Sequence, residues 1–329
     1  MLKFIGNRLL LFIPMLLVIS ALVFFVMQLP PGNYVTYMIF EIAQEGGDAS
    51  EQTIQALTKQ YSLDQPVYIQ YFKWITNIIL RGDFGYSMGW NQPVATLIWE
   101  RIWWTIGISM LTLIASWLIA FPIAVFSATH QYSILDYVAT VFGFIGRGVP
   151  DFLLALIVIW IGYSVFNFNV SGLFSPEYRQ ASWSFAKFID LLQHLWIPII
   201  ILGMGSTAGL IRIVRANLLD ELRKPYVMAA RAKGMKESTL IWKYPVRIAI
   251  NPLLSTVGYL LPYIVSGSTI VSVVLNLTTT GPLLLQALKT QDMYLAGSFL
   301  LILSFLTLTG TLISDILLAW VDPRVRYGN

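Results

Sequence analysis

The sequence predicts an all-α, polytopic membrane protein with about six transmembrane helices. Three observations carry that expectation. Of 329 residues, 57% are hydrophobic and 12% are charged, whereas a soluble domain is about 25% charged. Apolar runs of about 20 residues recur along the chain, each enough to cross a hydrocarbon core of ~30 Å. The longest polar, basic stretch, 212–252, lies between two such runs. It holds Arg212, Arg215, Arg223, Lys224, Arg231, Lys233, Lys236, Lys243 and Arg247 against only Asp220, Glu221 and Glu237. Lys and Arg resist translocation, so this stretch belongs on the cytoplasmic side.

Lys3 and Arg8 precede the first apolar run, 9–29. A cleavable signal would have a shorter apolar core, about 7–15 residues, ending at small residues. This run ends Gln28-Leu29-Pro30-Pro31-Gly32, so an uncleaved anchor with the N-terminus inside is expected. Residues 30–101 follow as an outer insertion, periplasmic or extracellular, mildly acidic and helical. Within it a short helix is expected over 52–59, a turn over 61–66, an aromatic amphipathic helix over 67–80, and a turn at Arg81-Gly82-Asp83-Phe84-Gly85.

The second span covers 103–127 and the third 137–166, with a short inner turn between them. An outer segment follows over 167–194, then the fourth span over 195–214. Its Gly203, Gly205, Ser206, Ala208 and Gly209 permit close helix packing, and Gly205 with Gly209 fit the small-xxx-small pattern. The cytoplasmic loop, 217–251, leads to the fifth span, 253–274. A short outer segment, 276–294, precedes the sixth span, 295–320, and the tail lies inside. The whole chain, 1–329, reads as one transmembrane domain with both termini cytoplasmic.

Gly146-Arg147-Gly148-Val149-Pro150 interrupts the third span. Such breaks are tolerated where the freed backbone groups find partners or line a water-filled space, and a charge at membrane depth points to function. Arg147, Pro150 and Asp151 are therefore candidates for a translocation pathway, with Ser266 and Ser268 of the fifth span. Pairing of Arg147 with Asp151 four residues on, or contact with a headgroup, is the competing account of the charges. Helix packing is the competing account of the serines. Trp90, Trp99, Trp103 and Trp104 cluster where the chain re-enters the bilayer. An interfacial aromatic belt explains them; the alternative is an outer mouth at which Trp90 and Trp183 stack on sugar rings.

Local punctuation marks one part of the cytoplasmic loop. Pro225 suits the first helical position, where its missing N–H costs nothing. Gly234 suits the residue just past the end, where a positive φ is wanted. Between them lie roughly nine residues, about 13 Å of helix. Ala229, Ala230 and Ala232 leave much of it without bulk, as helix-in-groove docking requires. A solvated basic loop accounts for the charge but not for the Pro–small–Gly framing. Ser238 is placed as the cap of a second helix, 239–244, ended by Pro245.

Ala229-Ala230 followed by Gly234 resembles the cytoplasmic signature loop of permease subunits in bacterial ATP-binding cassette (ABC) importers, which reads Glu-Ala-Ala, three residues, Gly. Met228 stands where the Glu would be. The string Ala230-Arg231-Ala232-Lys233-Gly234, with Arg247 and Asn251-Pro252 downstream, is similar to the oligopeptide, dipeptide and nickel branch, which often lacks the Glu as well. The outer Leu63-Asp64-Gln65-Pro66 and Gly82-Asp83 elements, the Gly148-Val149-Pro150 break and the Asp322-Pro323-Arg324 tail also resemble that branch, so the likeness covers nearly the whole chain.

The resemblance implies a permease subunit in a bacterial or archaeal cytoplasmic (inner) membrane. It would move an oligopeptide or oligosaccharide by alternating access. Its implied partners are a paralogous permease subunit, two ATP-binding ATPase subunits, an extracytoplasmic solute-binding protein and the lipid bilayer. ATP and Mg would reside on the ATPases, with no cofactor in this chain. The implied ATPase-coupling residues are Tyr226, Ala229, Ala230, Arg231, Ala232, Lys233 and Gly234.

The residues exclude several other functions. No G-x-x-x-x-G-K-[ST] string cradles phosphates, and no G-x-S-x-G elbow presents a nucleophile. With no Cys, disulfides, zinc-thiolate sites and iron–sulfur clusters are impossible. His130 and His194 are the only histidines and suggest no metal site; His194 reads as an interfacial residue. No catalytic constellation is present, so an enzyme is not expected. The net charge of +4 is that of a cytoplasmic membrane face and calls for no nucleic acid. An ion-gradient-driven secondary transporter is one alternative, but it needs mid-span carboxylates, and the spans offer few beyond Asp151 and Asp315. A membrane assembly subunit without transport is the other.

Overall fold

A computed structural model describes residues 2–29, 32, 34–44, 54–55, 58–59, 64–168, 170–251 and 269–321. The chain begins with helices α1 (Leu2–Met27), α2 (Tyr34–Gln44) and α3 (Val67–Arg81). A small antiparallel hairpin follows, β1 (Tyr86–Ser87) and β2 (Gln92–Pro93), in register Tyr86 with Pro93. Helices α4 (Val94–Thr129), α5 (Ile134–Gly148), α6 (Asp151–Phe166) and α7 (Phe185–Leu222) make up the middle of the chain. Three short helices come next: α8 (Pro225–Ala232), α9 (Glu237–Lys243) and α10 (Pro245–Ala249). The last are α11 (Thr280–Lys289) and α12 (Met293–Val321).

Among the described residues, four helices are long and apolar enough to cross a membrane: Arg8–Met27, Val94–Thr129, Phe185–Leu222 and Met293–Trp320. The pair α5–α6 makes a fifth if it is counted as one broken span, bent by 101°. Ser133 starts α5 by accepting the Asp136 N–H at 3.3 Å, and Val149-Pro150 ends it because the residue before proline avoids the helical region. The predicted fifth span lies largely outside the described residues, as do Ser266, Ser268, half of the predicted 52–59 helix and the 322–327 tail.

Several boundaries differ from the expectations. The second span begins not near Trp103 but at Val94, because Val94, Leu97, Ile98 and Ile102 are buried apolar residues at helical spacing. Hydropathy locates the bilayer, not the helix start. The fourth begins at Phe185 rather than near Leu195, capped by the Ser184 hydroxyl on the Lys187 N–H. His194 is therefore not interfacial: it is 2% exposed, its Nδ1 lies 2.9 Å from the Asp190 carbonyl, and its ring packs on Phe168. Ser238 is no cap, since α9 starts at Glu237, and Pro245 opens α10 as well as closing α9. The expected helix at 67–80 and the turn after it are present. Gly82 is left-handed with φ +64°, and the Asp83 carboxylate accepts the Gly85 N–H at 2.9 Å.

The helices belong to two compact units. One comprises Asn7–Thr105 with Thr279–Leu308. In it Phe24 of α1 packs with Trp74 and Ile75 of α3 and Leu301 of α12, and the Ser20 and Tyr71 hydroxyls bond at 2.9 Å. Buried Asp292 ties the hairpin to the start of α12, accepting from Ser87 Oγ at 2.6 Å and from the Gly89 N–H at 3.1 Å.

The other unit comprises Met1–Gly6, Ile106–Thr278 and Thr309–Asn329. Its axis is α7, with 56% of its most apolar stretch buried, against 11% for α1. Leu113, Ala120 and Ala124 of α4 pack on Leu210, Ile211 and Val214 of α7. Where lipid is as apolar as the protein, helices associate through close backbone approach and interhelical hydrogen bonds, and both occur here. The Ser116 and Ser206 hydroxyls bond at 3.0 Å. A Cβ on Gly146 would lie 3.1 Å from the Met204 carbonyl, and one on Gly205 would lie 3.2 Å from the Gly146 carbonyl. Glycine at both positions lets α5 and α7 touch backbone to backbone.

Candidate functional site

The basic stretch folds into a corner of two short helices. Lys224 precedes α8 in extended conformation and Pro225 takes the first helical position. At the other end Gly234 has φ +78°. Its N–H donates to the Arg231 carbonyl at 3.0 Å, and the Met235 N–H donates to the Ala230 carbonyl at 3.4 Å. This is the paired 5→2 and 6→1 termination that glycine favours. Met235 then packs on Val227, Ala230 and Leu240 with Ile241 and Tyr244, the apolar contact that accompanies such a cap. No heavy atom would lie within 4 Å of a Cβ on Gly234, so the demand for glycine there is one of φ, not of space.

The two sides of α8 differ. Val227 is fully buried, and Ala230 is 9% exposed and packs inward with it. Tyr226, Met228, Ala229, Arg231, Ala232, Lys233 and Gly234 are exposed. Of the expected coupling residues, Ala230 thus supports the corner from within. Met228, 60% exposed, joins the outer face, a role that its standing in place of a signature Glu does not reveal. Its place three residues before Arg231 on a short helix was the available signal.

Two polar contacts stiffen the corner. Arg231 Nε donates to Glu237 Oε2 at 2.9 Å, and its Nη2 donates to Oε1. This fork raises the Arg231 pKa and lowers that of Glu237. The Tyr226 hydroxyl donates to Glu221, and partial burial, followed by that carboxylate, pushes the phenol above its ordinary range.

At the α5–α6 break the structure brings together Arg147, Pro150 and Asp151 around a cavity of about 410 Å³ that α7 completes with Gly205, Ser206 and Gly209. Arg147 and Asp151 do not pair: neither belongs to an ion pair found among the described residues, such as Arg215–Asp136 and Arg231–Glu237. The 101° bend removes the helical register that would have set residues four apart face to face. Trp90 and Trp183 lie in different units. Each indole already faces a cation, with Arg101 at 5.2 Å from Trp90 and Lys187 at 5.3 Å from Trp183.

One cluster had no expectation attached. Asp136 in the first turn of α5 accepts Arg215 Nε and Nη2 of α7, both at 2.9 Å, together with the Tyr132 N–H at 3.0 Å. Ser127 of α4 also donates to it. By sequence Arg215 belongs to the basic stretch; in the structure it is the α7 half of a three-helix clamp. Carboxylate and guanidinium stand 79 residues apart, and no local pattern links them.

Residues 1–109 match the N-terminal family model of binding-protein-dependent transport system membrane components. Residues 120–327 match the model described as binding-protein-dependent transport system inner membrane component. The chain is 33% identical over 328 residues to the oligopeptide transport system permease protein AppB of Bacillus subtilis (strain 168), covering 99% of this chain and 100% of that relative. It is 31% identical over 359 residues to the inner membrane ABC transporter permease protein YejB of Escherichia coli O157:H7, covering 98% of each. Among solved structures, a chain of the MetNI methionine ABC transporter in inward-facing conformation superposes with a TM-score of 0.53 at 17% identity. That match covers 69% of this chain and 97% of the other, and is a likeness of fold.

Proposed function

The chain belongs to the family of binding-protein-dependent transport system inner membrane components, and on that premise we propose that this ABC permease subunit imports peptides delivered by an extracytoplasmic solute-binding protein. It works with a paralogous permease and two ATPase subunits, which bind ATP and Mg. Both termini and the α8–α9 corner face the cytoplasm, and the chain crosses the membrane about six times. Peptide as cargo is supported by relatives named for oligopeptide and peptide permeases and for glutathione. Oligosaccharide stacking gains nothing from Trp90 and Trp183, whose rings already hold cations.

The observation that carries the coupling role is the exposed outer face of α8 on a corner that resists bending. Tyr226, Met228, Ala229, Arg231, Ala232 and Lys233 offer a small-residue, basic ridge to an ATPase groove. Ala230, the Gly234 turn and the Arg231–Glu237 fork hold its angle. When the ATPases close, a corner held in this way transmits displacement to α7 instead of absorbing it. Arg147, Pro150 and Asp151 at the break line the pathway on the same reading.

The test uses the complete importer with its binding protein in proteoliposomes. Gly234→Val forces a β-branched residue into the left-handed region, where it is strained. ATP-driven uptake and stimulation of ATPase activity by the binding protein are expected to fall together while the complex still assembles. Survival of both would remove α8 from the coupling role.

A further inference from the structure

The cavity at the α5–α6 break is more than a gap left by a kink. Arg147 closes the last turn of α5 and Asp151 opens α6. Helix dipoles account for the sign of each charge in its place. They do not account for the wall opposite. A Cβ on Gly209 would lie 3.6 Å from Arg147 Nη2, and one on Gly205 would lie 3.8 Å from Asp151 Oδ1. Two glycines of α7 therefore face the two charges and leave them uncovered.

Gly205 and Gly209 are one turn apart, so the positive and negative poles are spaced by about 6 Å along α7. A guanidinium in a membrane-spanning break without a counter-ion is costly, and Arg147 has no ion pair among the described residues. Its side chain is exposed at the cavity, so the guanidinium is open to an anion. A carboxylate is the anion that a guanidinium fork binds best, through two parallel charge-assisted hydrogen bonds. An extended peptide advances about 3.5 Å per residue. With its C-terminal carboxylate on Arg147, it places an N–H, or the ammonium of a dipeptide, near Asp151.

We propose that this cavity recognises the free C-terminal carboxylate of a transported peptide through Arg147, while Asp151 accepts an N–H or ammonium about one α7 turn away. This rests on the peptide-importer reading above. The site adds a selection step inside the permease, after the one made by the binding protein.

The experiment compares ATP-driven uptake of one peptide as free acid and as C-terminal amide by the complete importer. The readout is the ratio of the two rates in each variant relative to wild type, so that any preference of the binding protein cancels. Arg147→Gln is expected to slow the acid about tenfold more than the amide, the scale of a lost charge-assisted hydrogen bond. Arg147→Lys is expected to keep part of the preference. Equal slowing of both peptides, or an unchanged ratio, overturns the proposal. If Arg147→Gln does not assemble, Gly209→Val decides: it crowds the guanidinium without removing it and must lower the same ratio, and an unchanged ratio again overturns the proposal. A wild-type complex that moves neither peptide would instead overturn the peptide-importer reading.

Discussion

Arg215 holds Asp136 and Arg231 holds Glu237 through the same two-bond fork, yet the two pairs occupy opposite kinds of site. The Asp136 side chain is 5% exposed and that of Arg215 30%. The fork between them joins α5 to α7, with Ser127 of α4 as a third party. Arg231 and Glu237 are 47% and 51% exposed, six residues apart, and join two neighbouring short helices. Water competes for the second pair and repays most of its loss. It cannot reach Asp136 to do the same, so removing one partner there leaves a buried charge uncompensated. The first ion pair holds long helices together, and the second sets the angle between two short exposed ones.

The largest expected effect breaks the first fork. Arg215→Met strands the buried Asp136 carboxylate and should cost about 3 kcal/mol, read as a lower unfolding temperature of the purified complex. Joint replacement by apolar residues, D136L with R215M, should recover much of that loss. A single replacement that leaves the unfolding temperature unmoved would show the clamp to be dispensable. Next comes the crossing beside it. Gly205→Val sets new atoms against the Gly146 carbonyl and should destabilise by about 1–3 kcal/mol, whereas Gly107→Ala, whose Cβ would meet nothing within 4 Å, should not.

The second region is expected to respond in function before stability. Gly234→Val should cost only about 1–2 kcal/mol of backbone strain and yet abolish coupled transport. If uptake declined only in step with the unfolding temperature, the contrast between the two regions would disappear. Glu237→Gln is the smallest change: stability at neutral pH should barely shift, while ATPase stimulation by the binding protein falls. Its pH dependence has a definite sign. The Glu237 pKa is lowered in the fold, so the pair's contribution is complete above the ordinary Glu value of about 4.3 and fades as pH falls through the lowered one. Wild type and Glu237→Gln should therefore converge only in acid. A difference that grew on acidification would contradict the Arg231–Glu237 geometry.

What was legible in the sequence was chemistry acting within one turn or one apolar run. Pro225 and Gly234 bound α8 because the first position and the left-handed terminus select those residues by themselves. Gly205 foretold a close crossing because only its hydrogen admits a backbone there. The apolar runs marked four helices long and apolar enough to cross a membrane, but not where the second and fourth begin, and the family signature rode on the same local strings. Partnerships across distance were settled only by the tertiary structure. Asp136 met Arg215, Ala230 and His194 turned inward, and Arg147 and Asp151 were drawn out of register around a cavity. Each outcome depends on which helix lies alongside which, and a side chain's partner in that arrangement is not encoded by its neighbours in the chain.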